Sequence, residues 1–323
     1  MNTPIDQEIW QIHAWRNRLQ SLMLLGLLFS YAGLLGLLLL GGHGLFAILV
    51  FTALALSLNP SVSPGLTMRL YRAVKLSPHQ APGLYERINI LAKRAGLENK
   101  PDLYYIPSRM LNAFAVGSQA HSAIGVTDGL LKTLDQDELT GVLAHEVSHI
   151  RSNDIGVMGI ADLFSRVTRM LSLLGQGLLL INIPLLVYQA ATINWWVIAL
   201  LVFAPSISAL TQLALSRTRE FDADLNAVHL TGNPEALARA LAKIENLQGG
   251  WFERVFFPGK RIPEPSLLRT HPPVNERIDN LKSLKHGLSS SKVTFLPSVL
   301  VESTMTKPEL KEPPRWHISG LWY

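Results

Sequence analysis

No Asp, Glu, Lys or Arg occurs between Leu19 and Met68, nor between Met170 and Ser216. An uncharged apolar run of about 18 residues or more reads as a membrane span, because about 20 helical residues cross the hydrocarbon layer. Each block is long enough for two crossings. The first breaks at Gly41-Gly42-His43-Gly44, between SLMLLGLLFSYAGLLGLLLL and the shorter LFAILVFTALALSL. A short span of this kind is accommodated by tilt or local thinning of the bilayer. The second block breaks around Gln189–Asn194, between MLSLLGQGLLLINIPLLVY and WWVIALLVFAPSISALTQLAL. Trp195 and Trp196 suit an interfacial belt. A cleaved leader has an apolar core of only about 7–15 residues, so the first block reads as spans.

The basic residues give an orientation. Arg16 and Arg18 precede the first span; Arg69, Arg72 and Lys75 follow the second. Arg151, Arg166 and Arg169 precede the third; Arg217 and Arg219 follow the fourth, and neither short inter-span loop carries Lys or Arg. The positive-inside rule places both termini and the 69–169 segment in the cytoplasm. This also accounts for the net charge of +5. No basic stripe of the kind that binds nucleic acid is present.

The remaining chain carries ordinary charged sequence. The spacing predicts an amphipathic helix from Ala81 to Gly96, a strand over Pro101–Ile106, and a hairpin of Ala113–Gly117 with Ala123–Thr127. A further helix is expected over Asn233–Asn246. The serine-, proline- and lysine-bearing tail beyond Leu284 reads as loosely ordered.

Within this chain stands LDQDELTGVLAHEVSHIRS. Asp135 is a good N-cap, Glu138 three residues on completes a capping box, and Leu134 and Leu139 sit at staple positions. Leu139, Val142, Leu143, Val147 and Ile150 then recur at helical spacing. His145 and His149 are one turn apart on one face. Two imidazoles so placed can grip one zinc ion. Glu146, rotated by about 100°, is free to act as a base toward a water that the metal acidifies. The plainer reading is a pair of histidines bonded to backbone carbonyls.

There is no cysteine, so any third ligand must be a carboxylate or histidine. Glu220, in SRTREFDADLNA, and His271, in LLRTHPPVNERI, are the two candidates. Asp154 lies too soon after the pair to return to the metal easily. Glu220 and Asp224 again share one helical face. A Glu there would complete a two-histidine, one-carboxylate site, and the Asp could accept a hydrogen bond from the free ring nitrogen of a ligand histidine.

HEVSH, two apolar spans, SRTREFDAD and THPPVNERI, in that order, resemble the membrane-embedded zinc metallopeptidases of the HtpX type, relatives of the CAAX prenyl endopeptidases. The resemblance runs over nearly the whole chain up to about Ser289. It implies one Zn2+ per chain on His145, His149 and Glu220, with Glu146 as general base and Asp224 behind a ligand histidine. It implies that Asn112, Ala113, Phe114 and Ala115 open an edge strand that binds substrate backbone by strand addition. His271 would stabilise the oxyanion, and Arg277 would orient that loop or pair with a carboxylate. His121, an addition to the motif, reads as a turn residue. His13 lies in the N-terminal tail and His43 in the turn between the first two spans, and His79, His229, His286 and His317 have no partner at ligand spacing.

The expected architecture is a mainly α integral membrane protein. Four transmembrane helices accompany an α+β gluzincin-type zinc metallopeptidase domain with a small antiparallel sheet. The expected organisation is a cytoplasmic tail (1–18), two transmembrane helices (19–66), the first half of the peptidase domain (67–169), two more transmembrane helices (170–216), the second half of the peptidase domain (217–288) and a C-terminal tail (289–323). The resemblance implies a multi-pass protein of the bacterial inner membrane that hydrolyses misfolded or damaged membrane proteins. Its partners would be protein substrates and the lipid bilayer, with no nucleic acid. The rival is a non-catalytic zinc-binding membrane adaptor or carrier. A carrier places His, Asp or Glu inside its spans, whereas His43 is the only such residue in either block. A non-catalytic adaptor would commonly have lost Glu146 or a ligand, and none is missing.

Overall fold

The structure is a computed structural model that describes residues 7–43, 46, 50, 64–189, 193–255 and 274–285. In chain order the described elements begin with α1 (Gln7–Leu40), α2 (Pro64–Leu70), β1 (Val74–Lys75), α3 (Pro82–Ala95) and β2 (Asp102–Ile106). There follow β3 (Ala113–Gly117), β4 (Ser122–Thr127), α4 (Asp128–Thr133), α5 (Gln136–Arg151) and α6 (Asp154–Val187). Last come α7 (Trp195–Val202), α8 (Ala204–Thr231), α9 (Pro234–Val255) and α10 (Val274–Lys285). Described residues within Met1–Trp15, Pro60–Gly156 and Arg219–Tyr323 make one compact unit; those within Arg16–Asn59 and Val157–Thr218 make a second.

In the first unit α3 ends where the sequence predicts, at Gly96 in the left-handed region with φ 71°. Its apolar face, Leu84, Ile88 and Leu91, is buried with Leu103 of β2, Ile124 and Val126 of β4, and Leu143, Val147 and Ile150 of α5. Burying each such aliphatic side chain contributes about 1.5–3 kcal/mol against leaving it in water. Leu237 and Leu241 of α9 and Leu281 of α10 complete the same core. Gly141 lets α9 approach α5 closely, since a Cβ there would lie 3.2 Å from Leu237 Cα. The helix expected over Asn233–Asn246 extends to Val255.

The sheet has the order β1-β2-β4-β3 and is mixed, not antiparallel as expected. β1 with β2 and β3 with β4 are antiparallel, but β2 and β4 run parallel, Leu103 beside Ile124. The reason is topological. The β3–β4 hairpin forms as the local turn predicts, and its second strand, not its first, lies against β2. β4 is thereby central and buried along its whole length. β3 is left at the sheet edge, paired on one side only among the described residues.

The second unit is helical. Leu28 and Ala32 of α1 pack with Ala161 and Phe164 of α6 and Leu215 of α8. Phe29 meets Phe164 edge to face, with ring centroids 4.6 Å apart. Partly buried polar groups bond between helices. Tyr31 donates to the Leu200 carbonyl at 2.8 Å, and Ser165 donates to Gln212 Oε1 at 3.0 Å. Such bonds are the usual means of joining helices where no water competes. Much of the remaining surface is apolar and exposed, including Leu22, Met23, Met170, Leu173, Leu180, Trp196 and Leu210. A surface of that kind suits lipid rather than water.

Two described helices are long and apolar enough to cross a membrane, Arg18–Leu38 and Asp154–Val187. A third span would be the pair α7 and α8, bent by 43° at their junction. The helix ends match the sequence signals. α1 stops before Gly41, which has φ 61°, and α6 stops short of Gln189, which has φ 53°. The second expected span falls largely outside the described residues. α1 begins at Gln7, ahead of the expected first span.

Candidate metal centre

The site is built on α5, which is fixed at its start. Asp135 Oδ1 accepts from the Glu138 backbone N–H at 2.9 Å, and Glu138 Oε2 accepts from the Asp135 N–H at 3.0 Å. The capping box is thus complete, a motif whose N-cap alone contributes about 0.5–2 kcal/mol. Glu138 is fully buried, and its charge is met by Lys243 Nζ at 2.6 Å. From α3, Arg87 donates to Thr140 Oγ1 and to Gln136 Oε1, each at 2.6 Å. These bonds set both the roll and the height of α5 against its neighbours.

One turn apart on that helix, His145 and His149 turn their Nε2 atoms toward each other at 3.0 Å. Glu220 of α8 joins them, with Oε2 3.4 Å from His145 Nε2 and Oε1 3.6 Å from His149 Nε2. One ligand atom from each of the three residues lies within 4.8 Å of the others. Bonds of about 2.0–2.2 Å at tetrahedral angles place zinc ligands about 3.3 Å from one another. The three separations bracket that value.

The imidazole tautomers agree with this arrangement. His145 Nδ1 lies 3.0 Å from Asp224 Oδ1, and His149 Nδ1 lies 2.8 Å from Asp154 Oδ2. A carboxylate only accepts, so each Nδ1 carries a proton, and each Nε2 is the atom whose lone pair a metal would take. Arg277 Nη2 also stands 3.4 Å from His145 Nδ1. The shorter contact with the carboxylate decides the proton's place. Two lone pairs and a carboxylate oxygen converging in a buried site repel one another unless a cation stands among them. The donor set therefore fits a metal ion.

The electrostatics point the same way. Burial alone would lower the pKa of His145, but hydrogen bonds to Asp224 and Glu220 outweigh it and hold the ring up to about 10. His149 is likewise raised against burial, chiefly by its bond to Asp154. The pocket favours positive charge where the three ligand atoms meet. Arg277, from α10, lies behind them and is buried. It donates from Nε and Nη2 to the two oxygens of Asp224 at 2.8 and 2.6 Å, and its Nη1 is 3.0 Å from Glu220 Oε2. These carboxylates raise its pKa against the effect of burial, and the charge of Glu146 adds to them. Glu146 is half-buried.

The structure thus brings His145, His149, Glu220 and Asp224 together as the sequence predicts, with Glu146 nearby. Asp154 is not among the three residues of the ligand triangle. It nevertheless returns to the site by an unexpected route, behind His149. Arg277 takes the second of its two expected roles, pairing with carboxylates. His271 lies outside the described residues. His121 is exposed in the β3–β4 turn, its N–H directed at Ser118 Oγ.

Asn112 leads into β3, and Ala113, Phe114 and Ala115 form its first part. Thr127 N donates to the Asn112 carbonyl at 3.0 Å, and Ser118 N to the His121 carbonyl at 2.9 Å. In an antiparallel ladder such pairs recur at every second residue. Asn112, Phe114, Val116 and Ser118 therefore bond toward β4. Ala113, Ala115 and Gly117 turn their N–H and C=O groups to the open edge. The side chains of Ala113 and Ala115 pack on the core that contains α5.

Two helices that bring a largely buried His-His-Glu triangle together, one of them packed against a strand with an open edge, make the arrangement of a metallopeptidase. The family model for peptidase family M48 matches residues 78–285, and the chain belongs to that family. Its curated relatives include the protease HtpX homolog of Acaryochloris marina, 36% identical over 84% of this chain and 96% of the relative. Those of Sulfurihydrogenibium sp. and Aquifex aeolicus are each 34% identical, over 83% and 80% of this chain and 96% and 89% of theirs. The crystal structure of S. mikatae Ste24p aligns with a TM-score of 0.48 and 23% identity, over 83% of this chain and 66% of that one. The protein is a metalloendopeptidase of the HtpX type, with helices able to span a membrane.

Proposed function

We propose that this protein is a zinc-dependent endopeptidase of the bacterial inner membrane, cutting misfolded or damaged membrane proteins on the cytoplasmic side. The observation that carries the zinc assignment is the set of separations among His145 Nε2, His149 Nε2 and Glu220, at 3.0, 3.4 and 3.6 Å. His145, His149 and Glu220 would hold the ion, whose Lewis acidity acts on a water and on the scissile carbonyl.

The chain's own groups do the rest. Glu146 takes the proton of the attacking water and delivers it to the leaving amine. Asp224 and Asp154 accept from Nδ1 of the ligand imidazoles and so turn each Nε2 toward the ion. Asn112, Ala113, Phe114 and Ala115 receive the substrate as an added strand, and the outward N–H and C=O groups of Ala113 and Ala115 are the ones that pair with it. His271 donates to the developing oxyanion.

Four membrane spans with both termini inside, and the domain limits predicted above, belong to this reading. Support comes from the charge-free blocks, the basic residues that flank them and the exposed apolar faces of the second unit. The test compares membrane proteomes of cells carrying the active chain and Glu146→Gln. Membrane proteins should accumulate, or be trapped on the variant. Indistinguishable proteomes would contradict the substrate assignment.

A further inference from the structure

The two histidines of the site are held in the same manner by different parts of the chain. Behind His145 stands Asp224, gripped by Arg277. Behind His149 stands Asp154, whose second oxygen, Oδ1, accepts from Arg219 Nη1 at 2.9 Å. We infer that Asp154 and Arg219 are positioning residues of the metal centre: Asp154 fixes the tautomer and ring plane of His149, and Arg219 fixes Asp154. The inference rests on the proposed reading of His149 as a metal ligand.

Local geometry explains how a residue so near in sequence returns to the site. α5 ends at Arg151 with Ser152 as its cap, and Asn153 adopts a left-handed φ of 55°. That reversal starts α6 at Asp154 with its carboxylate against the last turn of α5. Asp154 and Arg219 have side chains only 4% and 13% exposed. Among the described residues Asp154 is the partner of Arg219. A buried guanidinium and a buried carboxylate each require the other. A pair serving packing alone would leave the second carboxylate oxygen to any donor, whereas here it meets a metal-site imidazole.

Arg219 also directly precedes Glu220. On a helix that neighbour points about 100° away. α8 therefore supplies a ligand with Glu220, the holder of His145 with Asp224, and the holder of Asp154 with Arg219. One helix sets all three first-ligand positions at once.

The experiment uses the full chain in detergent. Zinc affinity is measured by competition with a chromophoric chelator, and the visible absorption of the cobalt(II)-substituted protein is recorded. Asp154→Ala should weaken zinc binding by about 10–100-fold and displace the cobalt band. Asp154→Asn, whose amide oxygen still accepts from Nδ1, should fall between Asp154→Ala and the parent. Arg219→Met should bind zinc more weakly than Arg219→Lys. Parental affinity with an unmoved cobalt band in Asp154→Ala would overturn the inference. If Asp154→Ala does not fold, equal affinities and bands for Arg219→Met and Arg219→Lys would overturn it. His149→Ala separates the two levels. If it binds zinc as tightly as the parent, the ligand reading fails and the inference with it. If it binds weakly while Asp154→Ala matches the parent, only the positioning role fails.

Discussion

Arg277 meets both oxygens of Asp224, Nε at 2.8 Å from Oδ2 and Nη2 at 2.6 Å from Oδ1. A two-pronged bond of this kind fixes orientation as well as distance. Because Arg277 Nη1 also reaches Glu220, one guanidinium holds the carboxylate that orients His145 and the carboxylate beside both ligand nitrogens. The last described helix is thereby tied to the centre.

Replacing Arg277 by Met should therefore remove the guanidinium that pairs with two buried carboxylates, Asp224 and Glu220. Breaking a buried pair in this way costs about 3–5 kcal/mol. Thermal unfolding of the chelator-treated protein should show a large fall in Tm. Added zinc should recover part of it, since a cation at the ligand triangle meets the same carboxylates. An unchanged Tm without metal would contradict the arrangement.

Glu146→Gln removes the proton carrier but keeps the size and polarity of the side chain. Zinc content should stay at the parental level while cleavage of an unfolded protein falls by at least about 10²-fold. The check is metal content and turnover measured on one preparation. Parental turnover would rule Glu146 out as the base.

Gly117 closes the hairpin that carries the open strand edge. Its φ is 99°, and a Cβ there would lie 2.1 Å from the His121 carbonyl oxygen. Gly117→Val should destabilise the first unit by more than about 1 kcal/mol and lower cleavage through a disturbed β3. Denaturant or thermal unfolding reads the first effect, and KM for a peptide substrate the second.

The orientation can be tested without purification. A reporter fused after Tyr323 should read as cytoplasmic, as the distribution of Arg and Lys around the charge-free blocks requires. An extracytoplasmic signal would invert the proposed topology.

What the sequence discloses depends on whether a feature is local. The capping box of Asp135 and Glu138, the helical pairs His145/His149 and Glu220/Asp224, and the β3–β4 hairpin all arise from residues a few positions apart. Each is present as read. The partners of those elements were not legible. Nothing in DLYYI says that β4 will lie beside it in parallel, so the sheet is mixed where an antiparallel one was expected. The short separation of Asp154 from His149 argues against a ligand and says nothing of a place behind the ring, because that place depends on Asn153 adopting φ 55°. Arg219, which meets Asp154, stands 65 positions further along the chain. Of the two roles that the sequence offers Arg277, the structure displays the pairing with carboxylates, Asp224 and Glu220; the loop of His271 lies outside the described residues.

The bound metal is the most direct test of the site. Metal analysis of the detergent-solubilised chain should give one zinc per molecule, and His145→Ala should lose it. Zinc at about 100-fold excess over its Kd should stabilise the parent by about 2.7 kcal/mol, an effect that fades on acidification as protons compete for the imidazoles. A parent without bound zinc, or full occupancy in His145→Ala, would contradict the assignment of the site.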